Sequence, residues 1–402
     1  MLFRSNSKFH SKKINENLAS VATACKRLAH LRVHCDGQMP GGISFQKFWN
    51  LRSAYIENAY SCGDGLTMLN SLDHLEYFKE TFYDTFQQSR TPLPPLSSTL
   101  PALHTLHIGT IPLYTMHQFL SSLNAPLSDV RTNITDVRFF SEVTQLFDTL
   151  CSPRNATSLH TVDVSFIILD WPDGRFERPG PSSFLKLTAP LLCLQSLASL
   201  RVHLSRQPWG VIEYDATDAV RAWHGALAID NAALKTMARA WPRLRHLVLT
   251  YSSEFTFMDA VAAVAAQDSP DAAAAARPPP GPSLGAVVDV ALACPDLKEF
   301  EMKVADVSED DLKLLEARAE MDGARQTALV DLYLQGNRSE DSPQLPDLDR
   351  LAVALHRVFP KLRGTGPPLP IQKGDPSDIT MESDLQTLLK KLYALSIDNR
   401  VP

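Results

Sequence analysis

Histidines close to a cysteine are the first residues whose chemistry needs to be considered. His30 and His34 precede Cys35, and His104 lies three residues before His107. Imidazole and thiolate groups bind zinc when several of them converge on one ion. On a strand, even spacing puts side chains on one face without convergence, and odd spacing puts them on opposite faces. We therefore predict no metal site at these residues.

Motifs of enzyme active sites are the next class to consider. The chain has no phosphate-binding glycine loop, no G-x-S-x-G nucleophile turn, no H-E-x-x-H helix and no kinase signature. Glycine supplies only 17 of 402 residues, so active-site loops built from glycine are scarce. We predict no catalytic residues, no cofactor and no enzymatic activity. The alternative is a hydrolase-like α/β enzyme whose site carries no recognisable motif.

The remaining candidate residues alternate with apolar ones in short segments. A pattern of apolar, two free, apolar, one free and apolar residues occurs ten times. Its copies are LAHLRV from Leu28, LRSAYI from Leu51, LDHLEY from Leu72, LHTLHI from Leu103, ITDVRF from Ile134, LHTVDV from Leu159, LASLRV from Leu197, LRHLVL from Leu244, LKEFEM from Leu297 and LVDLYL from Leu329. The period of two predicts short strands with one buried face.

Parallel strands of this kind would present their polar side chains on one shared surface. The candidate binding residues on that surface are Arg32, His34, Tyr55, Glu76, His107, Arg138, Asp163, Arg201, His246, Glu301 and Tyr333. Imidazole and guanidinium groups could recognise an acidic partner. The alternative is that these side chains only hydrate the exposed face of a sheet, since the acidic members dilute any patch of one sign.

Amphipathic stretches between the segments predict helices. They cover residues 14–28, 114–124, 141–151, 230–241, 284–294, 308–320 and 347–359. Asp230, and Ser308 with Asp311 three residues later, are helix start signals. Several stretches end in an apolar residue and a proline two positions before the next leucine, as in Trp241-Pro242. Proline ends a helix and favours extended backbone before it.

Strand, loop, helix and return to the next parallel strand is the unit of leucine-rich-repeat proteins. The chain resembles the divergent leucine-rich-repeat arrays of F-box proteins, especially those common in fungi, in phrases such as WPRLRHLVL from Trp241 and CPDLKEFEM from Cys294. LVDLYLQGN from Leu329 comes close to the full family consensus. The resemblance implies an α/β fold: an irregular leucine-rich-repeat solenoid, or horseshoe, with parallel strands on its concave side and helices on its convex side.

The spacing of the repeats is irregular. Successive segments begin 21 to 53 residues apart, against about 20–29 for regular repeats, so the array carries insertions. We predict a flexible basic tail at 1–13, a repeat domain at 14–363 with a disordered insertion near 267–283, a linker at 364–379, and a capping helix and tail at 380–402.

Composition limits the class of partner. The formal net charge of -6 argues against nucleic acid, and no apolar run of about 18 residues could cross a bilayer. No secretory signal is found, and the six cysteines contain no C-x-x-C pair. We predict free, mostly buried thiols and an intracellular protein, cytoplasmic or nuclear.

The expected function is that of a protein–protein interaction scaffold whose partner the sequence does not identify. The resemblance implies the substrate-recognition part of an F-box-type ubiquitin ligase. Residues 1–27 contain no F-box motif, so a ligase adaptor is expected as a partner only if an F-box exists outside this chain. A regulatory, inhibitor-like solenoid is a further alternative, which differs in its partner alone.

Overall fold

The computed structural model describes residues 2–5, 11–38, 45, 47–60, 66, 69, 72–82, 100–137, 140–169, 184–207, 229–251, 282–304, 307–321, 325–336 and 347–362. The chain divides into two compact units. The first unit holds residues 1–177, 187–197 and 202–213, and the second holds residues 178–186, 198–201 and 214–402.

The first unit contains seven complete strands in its described part, with α-helices between some of them. Its elements are β1 (Leu2–Ser5), α1 (Ser11–Ala24), β2 (His30–Gln38), β3 (Ser53–Tyr60), β4 (Tyr77–Phe82), β5 (Thr105–Pro112), α2 (Leu113–Ser122), β6 (Asp129–Val137), α3 (Phe140–Leu150), β7 (Thr161–Leu169) and a 3-10 helix (Ala189–Cys193). Helix α4 (Phe184–Thr188) and strand β8 (Ser199–Gln207) contain residues of both units.

Helices and strands alternate in the described part of the second unit. Its elements are α5 (Asn231–Ala240), β9 (His246–Tyr251), α6 (Leu284–Ala293), β10 (Glu299–Val304), α7 (Glu309–Glu320), β11 (Asp331–Gly336) and α8 (Leu348–Val358). Each of the seven helices predicted from the sequence is found within a few residues of its predicted bounds. The start signals also act as expected, because Asp230 and Ser308 accept hydrogen bonds from the backbone of α5 and α7.

The strands form a parallel sheet. Consecutive strands pair in parallel from β1 to β7 in the first unit and from β9 to β11 in the second. In the part of the chain that the structure describes, strand order follows chain order, so the sheet is open and does not close into a barrel. The predicted α/β fold with parallel strands is confirmed.

Most predicted segments contain a strand that begins at the same position of the segment. In eight of the ten, the strand begins at the third residue of the segment, so Leu28 is followed by β2 from His30 and Leu297 by β10 from Glu299. Just before most of these strands, two backbone N–H groups donate to one carbonyl of the preceding segment. The accepting carbonyls belong to Ala29, Arg52, Glu76, His104 and Ser128 in the first unit and to Ala198, Arg245 and Lys298 in the second.

The segments from Leu72 and Ile134 were placed wrongly. Strand β4 begins at Tyr77 and pairs Tyr77 with Ser53, so its equivalent segment starts at Leu75. Strand β6 begins at Asp129 and pairs it with Thr105, so its segment starts at Leu127. With these corrections the first five spacings become 23, 24, 28, 24 and 32 residues, instead of 23, 21, 31, 31 and 25.

Polar residues at core positions caused both errors. The sixth position of the true segments holds Glu80 in β4 and Thr132 in β6, and both residues are buried. A search for apolar residues at these positions rejects both and selects the shifted segments LDHLEY from Leu72 and ITDVRF from Ile134 instead. Leu72 itself occupies a recurring turn, in which its carbonyl accepts from the Leu75 N–H as the Trp241 carbonyl accepts from Leu244.

Helices of the first unit pack on the apolar face of the sheet. The Phe147 ring of α3 meets the Phe166 ring of β7 edge-on, with centroids 5.9 Å apart. Helix α2 packs against β5, β6 and α3, and its buried Met116 and Phe119 belong to the same core as Leu106 and Ile108 of β5. The alternate strand residues therefore remain on the other face.

Several of the predicted domain ranges lie wholly or mostly outside the residues that the structure describes. Strand β1, which pairs with β2, and the start of α1 at Ser11 both fall within the range 1–13 that was predicted as a basic tail. The insertion at 267–283 lies outside the described residues except for its last two. The linker at 364–379 and the capping helix at 380–402 also lie outside them.

Candidate protein-binding surface

The face of the first unit opposite its helices carries a line of polar side chains across the strands. The register places six residues side by side, one per strand from β2 to β7: Arg32, Tyr55, Lys79, His107, Arg131 and Asp163. We call this set the polar row. The strand neighbours of these residues, such as Val33, Ile56 and Val130, are buried in the core.

The structure places five of the seven predicted surface residues of the first unit on this face. Arg32, Tyr55, His107 and Asp163 belong to the polar row, and His34 lies two residues after Arg32 on the same strand. Glu76 does not, because the segment from Leu72 was out of register. It lies in the turn before β4 and pairs with Arg52, their atoms Oε1 and Nη1 being 3.1 Å apart. Arg138 lies outside the described residues.

A carboxylate on β3 holds one end of the polar row. Glu57 accepts two hydrogen bonds from Arg32, through Nε and Nη2, and Nδ1 of His34 lies 3.3 Å from its Oε2. The Arg32 contact is the main cause that lowers the pKa of Glu57 to about 2, and the contacts of Tyr55 and His34 act in the same direction. Glu57 therefore stays ionised and fixes the position of the guanidinium.

A second carboxylate repeats this arrangement near the other end. Asp129 of β6 accepts from Nε and Nη2 of Arg131, at 3.1 and 3.0 Å. Its Oδ1 lies 3.2 Å from Nε2 of His107 on β5. Burial of Asp129 raises its pKa, but the contacts with His107 and Arg131 together outweigh burial, and the pKa is lowered. Each acid thus lies between one histidine and one arginine.

Aromatic rings fill the space between the charged groups. The Tyr55 ring has the Arg32 guanidinium 4.6 Å from its centroid and the Lys79 ammonium 5.0 Å from it. Cations favour the electron-rich face of an aromatic ring. The Tyr77 and His107 rings meet edge-on with centroids 5.6 Å apart. Contacts between neighbouring side chains therefore help to hold the polar row in place.

Exposure differs between the two members of each ion pair. The Arg32 side chain is 51% exposed and that of Glu57 is 18% exposed. Arg131 is 51% exposed and Asp129 is 21% exposed. The carboxylates of Glu57 and Asp129 are therefore closer to the sheet, and the arginine side chains are closer to solvent. The groups presented to solvent are mainly cationic, although the pairs are neutral.

The second unit contains a related cluster. Glu299 of β10 accepts from Nη2 of Arg201, and its Oε2 lies 3.1 Å from Nδ1 of His246 on β9. Glu301 is half-buried, and burial together with the nearby charge of Glu299 raises its pKa. Tyr333 lies beside Glu301 in the register of β10 and β11. The four predicted surface residues of this unit, Arg201, His246, Glu301 and Tyr333, are thus on strands as expected.

Three residues of the first-unit surface were missed from the sequence. Lys79, Asp129 and Arg131 lie in the two strands whose segments were out of register. Their signal is the alternation around Phe78 and Val130, which becomes visible only if a polar residue is allowed at one core position.

Thiols are more exposed than the sequence predicts. The four cysteines whose side chains are described are free, as expected, but Cys25 and Cys193 are exposed, Cys151 is half-buried and only Cys294 is buried.

Other site types and known proteins give no assignment. Within the described residues, no three His, Cys, Asp or Glu side chains are grouped to hold a metal ion. No helix in the described segments is long and apolar enough to cross a membrane. No protein-family model matches the sequence, and no curated protein is significantly similar to it.

Proposed function

We propose that the protein is an irregular leucine-rich-repeat solenoid that acts as a protein–protein interaction scaffold through the polar face of its strands. The observation that carries the proposal is the polar row of the first unit. It combines tyrosine and arginine, the residue types that supply most binding energy at protein interfaces, on strands that also form a core. Repeat proteins use such surfaces because stacked units extend them without any catalytic group.

Regular strand starts support the repeat part of the proposal. Each strand after the first is preceded by an apolar anchor, and the corrected spacings of the first unit lie mostly within the range of leucine-rich repeats. The same pair of backbone hydrogen bonds recurs at Ser53, Tyr77 and Thr105. We propose on this basis a horseshoe with its strands on the concave side.

The resemblance to F-box repeat proteins suggests a specific role. We propose substrate recognition for a ubiquitin ligase, with a ligase adaptor as partner only if an F-box exists outside this chain. An intracellular site of action, cytoplasmic or nuclear, belongs to the same proposal, and the free thiols of Cys25 and Cys193 are compatible with a reducing compartment.

Site-specific photo-crosslinking in cells tests the binding surface. A photoreactive amino acid replaces Tyr55 in the polar row or, as a matched control, the exposed Tyr114 on helix α2. We expect discrete protein adducts at position 55 that are absent at position 114. Adducts at position 114 alone, or at neither position, would contradict the proposal.

The ligase role needs a separate readout. We fuse an F-box to the protein and purify the crosslinked adduct formed at position 55. We expect this adduct to be ubiquitinated, and the adduct of the protein without the F-box not to be. An adduct whose ubiquitination is unchanged by the fused F-box would retain the scaffold and exclude the ligase role.

A further inference from the structure

Cations in the polar row recur on alternate strands of the first unit. Arg32 lies on β2, Lys79 on β4 and Arg131 on β6. Neighbouring strands are about 4.8 Å apart, so successive cations of the row are about 9.6 Å apart. Tyr55 and His107 occupy the strands between them.

All three cations have donors left for a further ligand. Arg32 donates to Glu57, and Arg131 donates to Asp129, in both cases through Nε and Nη2. Nη1 of either arginine makes no hydrogen bond within the described residues. Since a guanidinium has five N–H donors, the edge that includes Nη1 can donate hydrogen bonds to a second carboxylate. Lys79 forms no ion pair within the same residues and contacts the Tyr55 ring.

The spacing of the cations matches one kind of extended peptide. In a polyproline II conformation the chain rises about 3.1 Å per residue and every third side chain returns to the same side, about 9.3 Å further along. Acidic residues three positions apart would therefore meet Arg32, Lys79 and Arg131 in turn. Tyr55 would lie beneath the intervening residues.

We propose that the polar row of the first unit binds an extended segment of a partner protein that carries acidic residues at every third position. The proposal rests on the proposed scaffold function and specifies the chemistry of its partner. The segment lies across the strands, with its carboxylates on Arg32, Lys79 and Arg131.

Nucleic acid fits the row less well than an acidic peptide does. Phosphates follow each other more closely along a nucleic-acid strand than the cations do along the row. Glu57 and Asp129 lie beside the row, and its last member is Asp163. The net charge of -6 adds repulsion to any polyanion with continuous charge. Separate carboxylates can approach the cations while avoiding these acids.

Fluorescence anisotropy with two synthetic peptides tests the proposal on the full-length protein. Both peptides contain three glutamates among alanine, serine and proline, at every third position in one and adjacent in the other. We expect the spaced peptide to bind more tightly at low salt, with an affinity that falls as salt is added. Equal affinities for the two peptides, or tighter binding of single-stranded polyuridylate, would overturn the proposal.

Variants of single cations locate the binding. Lys79→Gln removes a cation that has no acid partner to leave behind, so we expect the spaced peptide to lose about two- to five-fold in affinity. Lys26→Gln, in the exposed turn after α1, is the matched control and should leave the affinity unchanged. Equal losses in the two variants would place the binding elsewhere. Adducts at position 55 without a preference for the spaced peptide would keep the scaffold and exclude the acidic partner.

Discussion

Glu80 is a carboxylic acid in the core of the first unit. Its side chain is 1% exposed, and neither carboxylate oxygen has a hydrogen-bond partner within the described residues. The register places it between Ile56 of β3 and Ile108 of β5. Burial without a partner disfavours the charged form and raises the pKa of Glu80 well above its ordinary value. The folded protein therefore holds a proton there that the unfolded chain releases.

Replacing this acid should stabilise the protein at neutral pH. We expect Glu80→Leu to raise the free energy of unfolding at pH 7 by about 1–3 kcal/mol, because the cost of burying an unpaired polar group is removed. Urea denaturation measures the change. Glu16→Leu, on the exposed side of α1, is the control and should have little effect. An equal or lower stability of Glu80→Leu would show that the carboxyl group has a stabilising partner.

The pH dependence of stability gives an independent check on the same residue. The pKa of Glu80 is higher in the folded protein than in the unfolded chain, where it is near 4.5. The stabilising contribution of the bound proton is therefore complete below pH 4.5, and it is lost as the pH rises through the folded pKa. Between pH 4.5 and 8 the wild-type protein should lose more stability than Glu80→Leu. Parallel curves from urea denaturation at several pH values would contradict this assignment.

Thiol reactivity should follow exposure. Burial raises the pKa of Cys294 to about 11, and its Sγ lies 3.6 Å from the Trp241 carbonyl oxygen. Because the thiolate is the reactive form, iodoacetamide at pH 8 should modify the exposed Cys25 and Cys193 and leave Cys294 unmodified until the protein unfolds. Peptide mass spectrometry reads each site. Modification of Cys294 in the native protein at the rate of Cys25 would contradict its burial.

At the scale of elements, two buried amides connect the segment before one strand to the segment before the preceding strand. Asn155 accepts from the Leu127 N–H at 3.0 Å and donates to the Leu150 carbonyl at 3.0 Å. In the second unit, Gln326 accepts from the Leu329 N–H at 2.6 Å and donates to the Leu297 carbonyl at 2.9 Å. Each amide satisfies backbone groups that no strand or helix partner reaches.

Loss of one such amide should destabilise its unit. We expect Asn155→Leu to lower the free energy of unfolding by about 2–4 kcal/mol, because a buried N–H and a buried carbonyl lose their partner. Asn133→Leu, exposed on β6, is the matched control and should change stability little. Chemical denaturation measures both variants. Similar effects of the two substitutions would indicate that Asn155 contributes no more than a surface residue.

The sequence predicts elements well where the core is apolar and less well where it is not. Eight strand starts and the helix caps at Asp230 and Ser308 follow from local patterns. Strands β4 and β6 were shifted because Glu80 and Thr132 occupy core positions. The contacts of Glu57 and Asp129 depend on which residues are opposite each other on neighbouring strands, and register is a property of the assembled sheet. The candidate surface was therefore predicted in outline, without its ion pairs.

At the scale of the whole chain, consecutive elements make most of the interactions in the described part. Strand pairs follow chain order, and helices α2 and α3, α5 and α6, and α7 and α8 pack on one another. In repeat proteins, whose units contact only their neighbours, stability is close to a sum of neighbour terms. A local defect is therefore expected to have a local effect.

Hydrogen exchange of backbone amides tests this locality. Asn155→Leu should reduce protection most strongly in β6 and β7, and Gln326→Leu should do so in β10 and β11. Mass spectrometry of peptic fragments resolves the two regions. A uniform loss of protection over both units in either variant would show that the chain unfolds as one cooperative body.

The turn that recurs before most of the described strands has a consequence for how the sequence can change during evolution. The carbonyl of Phe48, Leu100, Trp241 or Cys294 closes the turn with the N–H three residues later, so a strand start is built from residues adjacent in sequence. The geometry of the turn does not depend on how long the preceding connection is. Each doubling of the length of a flexible loop adds only about 0.6 kcal/mol to the entropic cost of closing it. Evolution can therefore lengthen the connections between strands and add new peripheral surface while the strand starts stay unchanged.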